Sequence, residues 1–323
     1  NVPMKFVTLI TEPKDYSSRA IQLYKRLGPV FLSKNFQKEK SSLLEKVNIA
    51  VLRLAYKFDQ KVIDSMPQLK AIVFPGTGLN HIDVVYAKKK GIKVFSLRGR
   101  TSFLKYIPST AEETIALILA LVRNIPWSFE DVKRGKWDRD SFRGHQLIGK
   151  TLGLVGFGRL GKIVARYAKS FGMKVVAADP YVRESVMRQR GVKKVSLEGL
   201  CKTSDIVSLH AAYSSQLDKF FGNKYFSRMK PSAYFINTAR GELTDEKALL
   251  EALNKKRIKG AAIDVMINER GDGSHLKGNP LLAYARTHGN LLIVPHLGGA
   301  TYEAMQITED FIADLVVKYF SKN

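Results

Sequence analysis

The segment Leu152-Gly153-Leu154-Val155-Gly156-Phe157-Gly158-Arg159-Leu160-Gly161 sets a G-x-G-x-x-G pattern behind a β-rich run and ahead of a helical one. Gly156 permits a tight turn, Gly158 lets main chain approach a pyrophosphate, and Gly161 allows close helix–strand packing. The helix that follows presents unpaired N–H groups and the positive end of its dipole to phosphates. The next strand-like run ends in Asp179, about 20 residues further on, where a carboxylate accepts hydrogen bonds from ribose hydroxyls. An aspartate there repels a 2′-phosphate, and Pro180 and Tyr181 bring no cation to bind one. The pattern therefore predicts NAD rather than NADP, with Arg183 the nearby residue that argues the other way.

Three more polar residues close strand-like runs downstream. Arg240 follows Phe235–Ala239, Asp264 follows Ala261–Ile263 and His296 follows Ile293–Pro295, with Glu269 a little beyond Asp264. In open α/β sheets ligands bind outside the carboxyl ends of strands. Taken singly, such an arginine reads as a surface salt bridge and such a histidine as a satisfied structural one. Together, in a domain that binds a nicotinamide, they suit hydride transfer to a 2-keto acid. That reaction needs a cation for the carboxylate and carbonyl, and a proton donor for the oxygen that becomes hydroxyl. Arg240 can clamp a carboxylate bidentately, and a histidinium can donate a proton near neutral pH. A carboxylate such as Glu269 beside His296 would raise its pKa and keep it charged until the proton leaves. His81, His145, His210, His275 and His288 lack this company and read mainly as structural or solvent-facing.

The elements that would position these groups alternate short β-rich runs with amphipathic stretches, the signature of parallel βαβ units. In the first hundred residues the strands read Phe6–Ile10 (with Met4 and Lys5 leading in, a strand rather than a secretory leader), Ile49–Leu54, Ala71–Phe74 and Val94–Ser96. The helices read Ser17–Leu27, Lys38–Val47 and Asp59–Met66. Ser109-Thr110-Ala111-Glu112 predicts a capping box opening an apolar helix that runs through Val122 and stops before Pro126. A second series reads Thr151–Val155, Lys174–Ala178, Ile206–Leu209, Ala233–Asn237, Gly260–Ile263 and Leu291–Val294. One amphipathic helix, Tyr302–Phe320, comes last with no strand after it, and is expected to pack back on the first series. No internal repeat or low-complexity stretch is present.

Composition narrows the function class. A chain of 323 residues suggests two domains, and 45% hydrophobic, 25% charged and 10% aromatic residues describe an ordinary globular protein. The longest apolar run, Ile115–Val122, falls well short of the ~20 residues a membrane span needs, so no membrane association is expected. Cys201, the only cysteine, excludes an intrachain disulfide and a Cys-rich zinc site. No metal is expected, and a reducing, cytoplasmic setting fits. Lys+Arg 53 against Asp+Glu 29 gives a net charge of +24, densest in the first third. The lysines are scattered, and no helix-turn-helix, finger or aromatic–basic signature accompanies them. A solvated basic surface is expected, with steering of anionic substrates second and nucleic acid not a partner.

At these residues the chain resembles the D-isomer-specific 2-hydroxyacid dehydrogenases over nearly its whole length. The matching segments are Gly76-Thr77-Gly78-Leu79-Asn80-His81-Ile82-Asp83, Gly156 to Gly161, Ser204-Asp205 with His210, Asn237-Thr238-Ala239-Arg240-Gly241, Asp264-Val265 and Pro295-His296-Leu297-Gly298-Gly299. The resemblance implies two Rossmann-like, doubly wound parallel-sheet α/β domains. A flavodoxin-like substrate domain would take residues 1–105 and 300–323, and an NAD-binding Rossmann domain residues 106–299. It implies Arg240, Glu269 and His296 as the catalytic trio and Asp264 as the holder of the nicotinamide amide. Arg159, Leu160, His210, Thr238 and Thr110 join the cofactor set. It also implies that main chain at Gly76, Thr77 and Gly78 meets the substrate carboxylate, where glycines allow close approach, and that Arg53 reaches the substrate. The product pair would be a 2-keto acid and a D-2-hydroxy acid, and the assembly a homodimer through Ala111–Val122 and Trp127–Trp137.

Some positions depart from the family pattern. His210-Ala211-Ala212 lacks the usual proline, and Glu269 precedes Arg270 and an extended loop to Gly278 instead of a proline. Arg98–Tyr106 is longer than the family norm and carries three cations and two aromatics, which points to a large or acidic substrate tail. Phe74 stands where phosphoglycerate dehydrogenases of this family tend to have arginine, and Thr77 where phosphite dehydrogenases have lysine. Two further readings stay open: a non-enzymatic NAD(H)-sensing corepressor-like protein on the same fold, since fold does not settle function, and an NADP-linked glyoxylate or hydroxypyruvate reductase, against which Asp179 argues.

Overall fold

The structure, a computed structural model, describes residues 6–322; Met4 and Lys5, read above as leading into the first strand, lie outside them. The chain divides into two compact units. One holds residues up to Ile107, Arg270–Ser274 and the residues from Thr301 on; the other holds Pro108–Glu269 and His275–Ala300.

The first unit is a five-stranded parallel sheet: β1 (Thr8–Ile10), β2 (Val30–Leu32), β3 (Ile49–Val51), β4 (Ala71–Val73) and β5 (Lys93–Phe95), in the order β2-β1-β3-β4-β5. That is the flavodoxin-like order. Its central strands β3 and β4 are continuous apolar runs because both of their faces are covered. Ile49 and Val51 pack on one side with Tyr24 and the terminal helix Tyr302–Phe320, while Ala50 and Leu52 pack on the other with Phe36 and Phe58. Glu309 on that terminal helix is 1% exposed; it accepts hydrogen bonds from Ser17 N–H (2.7 Å) and from Arg53 Nη2 (2.6 Å) and Nε (2.9 Å).

The second unit is a seven-stranded parallel sheet: β6 (Thr151–Val155), β7 (Lys174–Ala178), β8 (Lys193–Lys194), β9 (Ile206–Leu209), β10 (Tyr234–Asn237), β11 (Gly260–Ile263) and β12 (Leu291–Ile293). The order β12-β11-β10-β9-β6-β7-β8 reverses direction between β6 and β9, the switch point of a Rossmann sheet. Leu152, Leu154, Ile206 and Ile236 fill one face together with the helix Ser109–Val122, and Val207, Leu209, Phe235 and Ile263 fill the other.

Several sequence expectations change. The strand β2 was not foreseen: it is three residues long and lies at an edge, where Phe31 and Leu32 face solvent and leave no inward periodicity to read. The helix expected over Lys38–Val47 shrinks to Ser41–Leu44, because Glu39 and Lys40 adopt extended backbone and Glu39 accepts a 2.5 Å hydrogen bond from Ser33 Oγ. The capping box at Ser109–Glu112 does not form. Ser109 is already helical, Pro108 takes the cap position without a side-chain bond, and the Ser109 hydroxyl donates to Gly298 O (2.7 Å) instead.

Candidate active site

All but a few of the candidate residues fall in the second unit, at the carboxyl ends of its strands. After β6 the chain turns at Gly156 (φ +96°), in the left-handed region that favours glycine. A Cβ on Gly156 would meet Ala211 N at 2.7 Å and His210 C at 2.8 Å, and one on Gly161 would meet Gly156 O at 2.6 Å. Gly158 is different: nothing lies within 4 Å of its Cβ position. It stands at the N-cap of the helix Arg159–Ser170, whose first turn has no capping side chain. A turn closed from behind and open in front is a cradle that a pyrophosphate fits, and the residues present suit a dinucleotide.

Asp179, at the end of β7, ties this turn together. One oxygen accepts from Phe157 N–H (2.8 Å), the other from Tyr181 N–H (2.8 Å) and Val182 N–H (3.2 Å). His210, at the end of β9, lies half-buried behind Gly156 with its Nε2 2.9 Å from Ser208 Oγ, and desolvation pushes its pKa down to about 4. The ring is therefore neutral near pH 7. Thr238 Oγ1 lies 2.8 Å from Thr114 Oγ1, and Thr110 Oγ1 donates to Gly298 O (3.0 Å).

His296 follows β12 with φ +56°, in the left-handed region that few non-glycine residues adopt, histidine more readily than most. Asp264, at the end of β11, holds that turn: its main-chain oxygen accepts from His296 N–H (2.9 Å), and its carboxylate accepts from Leu297 N–H (2.5 Å) and Gly298 N–H (2.9 Å). Asp264 is 1% exposed, and burial raises its pKa against the lowering effect of those two amides. His296 Nδ1 lies 2.5 Å from Glu269 Oε2, while Glu269 Oε1 accepts from Met266 N–H (2.6 Å). Nδ1 therefore faces the carboxylate, and Nε2 makes no hydrogen bond within the described protein.

Arg240 follows β10 in a turn that Asn237 shapes, accepting from Ala239 N–H (2.9 Å) and donating to Arg240 O (2.9 Å). Burial lowers the guanidinium pKa, and the charges of Glu269, Glu242 and Asp264 oppose that shift. A Cβ on Gly241 would meet Met266 C at 2.1 Å, so this position must be glycine for the β10 turn to lie against the stretch leading to Glu269. Sequence reasoning missed Glu246, which is half-buried, has a pKa raised by desolvation, and accepts from Ile267 N–H (2.7 Å). Nothing in its spacing marks it out.

The remaining candidates belong to the first unit. Arg53 lies just past β3, and its guanidinium binds Glu309 as above and donates to Lys14 O (2.8 Å) and Asp15 O (3.4 Å). Gly76 follows β4, and a Cβ there would sit 2.5 Å from the Phe74 ring. The main-chain amides of Thr77 and Gly78 donate to nothing within the described protein. Among the described residues no group of three or more His, Cys, Asp or Glu could hold a metal, and no helix is long and apolar enough to cross a membrane.

Residues 115–298 match the family described as D-isomer specific 2-hydroxyacid dehydrogenase, NAD binding domain. A D-3-phosphoglycerate dehydrogenase of Methanocaldococcus jannaschii is 38% identical over 314 residues, covering 96% of this chain and 56% of that protein, so the chain spans little more than half of that relative. A hydroxypyruvate reductase of Thermotoga maritima is 34% identical over 298 residues, covering 92% of each. Among solved structures, a D-lactate dehydrogenase from Aquifex aeolicus complexed with NAD and lactic acid superposes with a TM-score of 0.83 at 30% identity, covering 98% of this chain and 95% of that one.

Proposed function

This chain belongs to the D-isomer-specific 2-hydroxyacid dehydrogenase family, with that family's NAD-binding domain in its second unit, and on that premise we propose that it interconverts a 2-keto acid and a D-2-hydroxy acid. The observation that carries the reading is the His296–Glu269 pair, 2.5 Å apart on a left-handed turn held by Asp264. When bound, NAD(H) supplies or accepts the hydride. The Gly156–Gly161 turn, with Arg159 and Leu160, would hold its pyrophosphate, Asp179 its ribose, and His210, Thr238, Thr110 and Asp264 the rest of the pocket.

The chain's own groups do the remainder. Arg240 binds the carboxylate and polarises the carbonyl through charge-assisted hydrogen bonds, which strengthen in a partly buried setting. His296 gives its Nε2 proton to the carbonyl oxygen in reduction and takes it back in oxidation. Glu269 fixes the ring's tautomer and stabilises the imidazolium. The unpartnered amides of Thr77 and Gly78 support carboxylate binding by Gly76–Gly78. Arg53 enters the same proposal as a substrate contact, through the part of its guanidinium that Glu309 and the carbonyls leave available.

The test follows NADH consumption against a panel of 2-keto acids, acidic and phosphorylated ones included, with NADPH in parallel. Turnover with NADH is expected; turnover with NADPH alone would overturn the reading of Asp179. Arg240→Ala should abolish turnover while NADH still binds, and full activity in that variant would sink the assignment. A protein that binds NADH and turns over nothing would favour the sensor reading, which the intact trio argues against.

We also propose a homodimer. On and beyond the helix Ile125–Lys133, Phe129 (60%), Val132 and Trp137 (88%) are exposed, more large apolar side chain than a free surface favours in one stretch.

A further inference from the structure

The basic stretch after β5 remains outside the proposed chemistry. β5 is an edge strand of the five-stranded sheet. Its inner groups pair with β4 and the loop beyond: Lys93 N–H donates to Lys70 O (2.9 Å), Phe95 O accepts from Phe74 N–H (2.9 Å), and Leu97 N–H donates to Gly76 O (2.8 Å). The alternation of a parallel ladder then turns the amides of Val94 and Ser96 outward, unpaired, along the open edge.

That edge lines a cleft of about 340 Å³, whose other walls come from Lys93, Phe95, Arg98, Arg100 and Leu315. None of its lining residues is acidic. Arg98 and Arg100 flank Gly99, whose φ of +81° makes the turn between them, and neither guanidinium has a carboxylate partner among the described residues. The Lys93 ammonium lies 5.8 Å from the Tyr319 ring centroid. The adjacent carboxylate, Asp314 on the terminal helix, is paired with Lys318 at 2.5 Å. Of the two aromatics in the stretch, Phe103 stacks on Phe311 (3.8 Å) and anchors it, while Tyr106 is exposed beneath Lys105.

Unneutralised cations around a concave site raise the local potential and attract anions. Paired guanidiniums match the oxygens of phosphate or carboxylate groups, and outward main-chain amides add neutral donors. We propose that this cleft binds a small, multiply charged oxyanion metabolite, held by Arg98, Arg100 and Lys93 and by the Ser96 amide, with its carbon body against Phe95 and Leu315. The proposal stands independently of the hydride-transfer reading, because every group it uses belongs to the first unit.

The experiment titrates pyrophosphate, and separately citrate, into the full chain saturated with NADH, so that the glycine turn is not available to either probe. Calorimetry gives affinity, and hydrogen exchange gives location. Binding is expected with slowed exchange at Val94 and Ser96, weakened about tenfold or more in the double variant Arg98→Gln/Arg100→Gln. Both side chains are exposed, and unchanged NADH affinity would show the variant folded. Pyrophosphate binding alone identifies a phosphate ligand, and binding of both a general polyanion site. Equal affinity in wild type and variant, protection elsewhere, or no binding of either probe would overturn the proposal. If NADH itself failed to bind, the Val94 and Ser96 amides would still report on the cleft.

Discussion

A histidine held at φ +56° is the residue on which the proposed chemistry turns. Asparagine tolerates that backbone region but cannot relay a proton. His296→Asn should therefore leave the fold and NADH affinity intact and lower kcat about 10²- to 10⁴-fold, the usual worth of a positioned acid–base group. Steady-state kinetics alongside NADH titration checks this, and near-wild-type kcat would remove His296 from the mechanism. His210 makes a different prediction. Its pKa falls to about 4 in the fold against an ordinary 6.5, so the unfolded chain takes up the proton first as pH drops. Its neutral form contributes stability that is fully present above pH 6.5 and lost as pH falls towards 4, on the order of 3 kcal/mol. Denaturant unfolding at pH 7.5 and 4.5 should show that loss, and His210→Gln should flatten it; an unchanged slope would mean that other groups carry it.

At the level of elements, the site is an alignment of turns after β10, β11 and β12. The β10 turn reaches the stretch leading to Glu269 only because Gly241 has no side chain, its Cβ position lying 2.1 Å from Met266 C. Gly241→Ala should force the two turns apart, with a stability cost of about 1–3 kcal/mol and a fall in kcat as Arg240 and Glu269 separate. Thermal unfolding and kinetics on one preparation measure both, and unchanged values would show that the turns give way freely. Asp264 illustrates how an element changes a residue's reading. The family resemblance implies that it holds the nicotinamide amide, and in the structure its carboxylate also gathers two amides of the His296 turn.

For the whole molecule, charge and association are the properties that solution measurements reach. The exposed Trp137 and Phe129 belong to the proposed dimer interface, so Trp137→Ser should shift the assembly from twice the chain mass towards one chain in light scattering. A wild type that is monomeric at micromolar concentration would refute the dimer. A net charge of +24 predicts that KM for a dianionic keto acid rises with ionic strength more than KM for a monoanionic one, because screening removes long-range steering.

The sequence by itself determined the elements whose signal is local. The glycine turn, the strands Thr151–Val155, Lys174–Ala178, Ile206–Leu209 and Gly260–Ile263, and the helix Tyr302–Phe320 are legible because doubly covered strands are continuous apolar runs and a helix repeats its apolar face. It also marked Arg240 and His296, since strand ends are where such a fold gathers polar groups, with Glu269 a few residues beyond Asp264 as a carboxylate to partner the histidine. Only the tertiary structure decided what those groups touch. That His296 is left-handed, that Glu269 meets its Nδ1, that Ser109 serves Gly298 instead of capping its own helix, and that Arg53 is bound by Glu309 all depend on partners distant in the chain. The same is true of β2, an exposed three-residue edge that exists because β1 pairs with it. Periodicity records which face of an element is buried; contacts between elements are set by packing, and no local pattern encodes them.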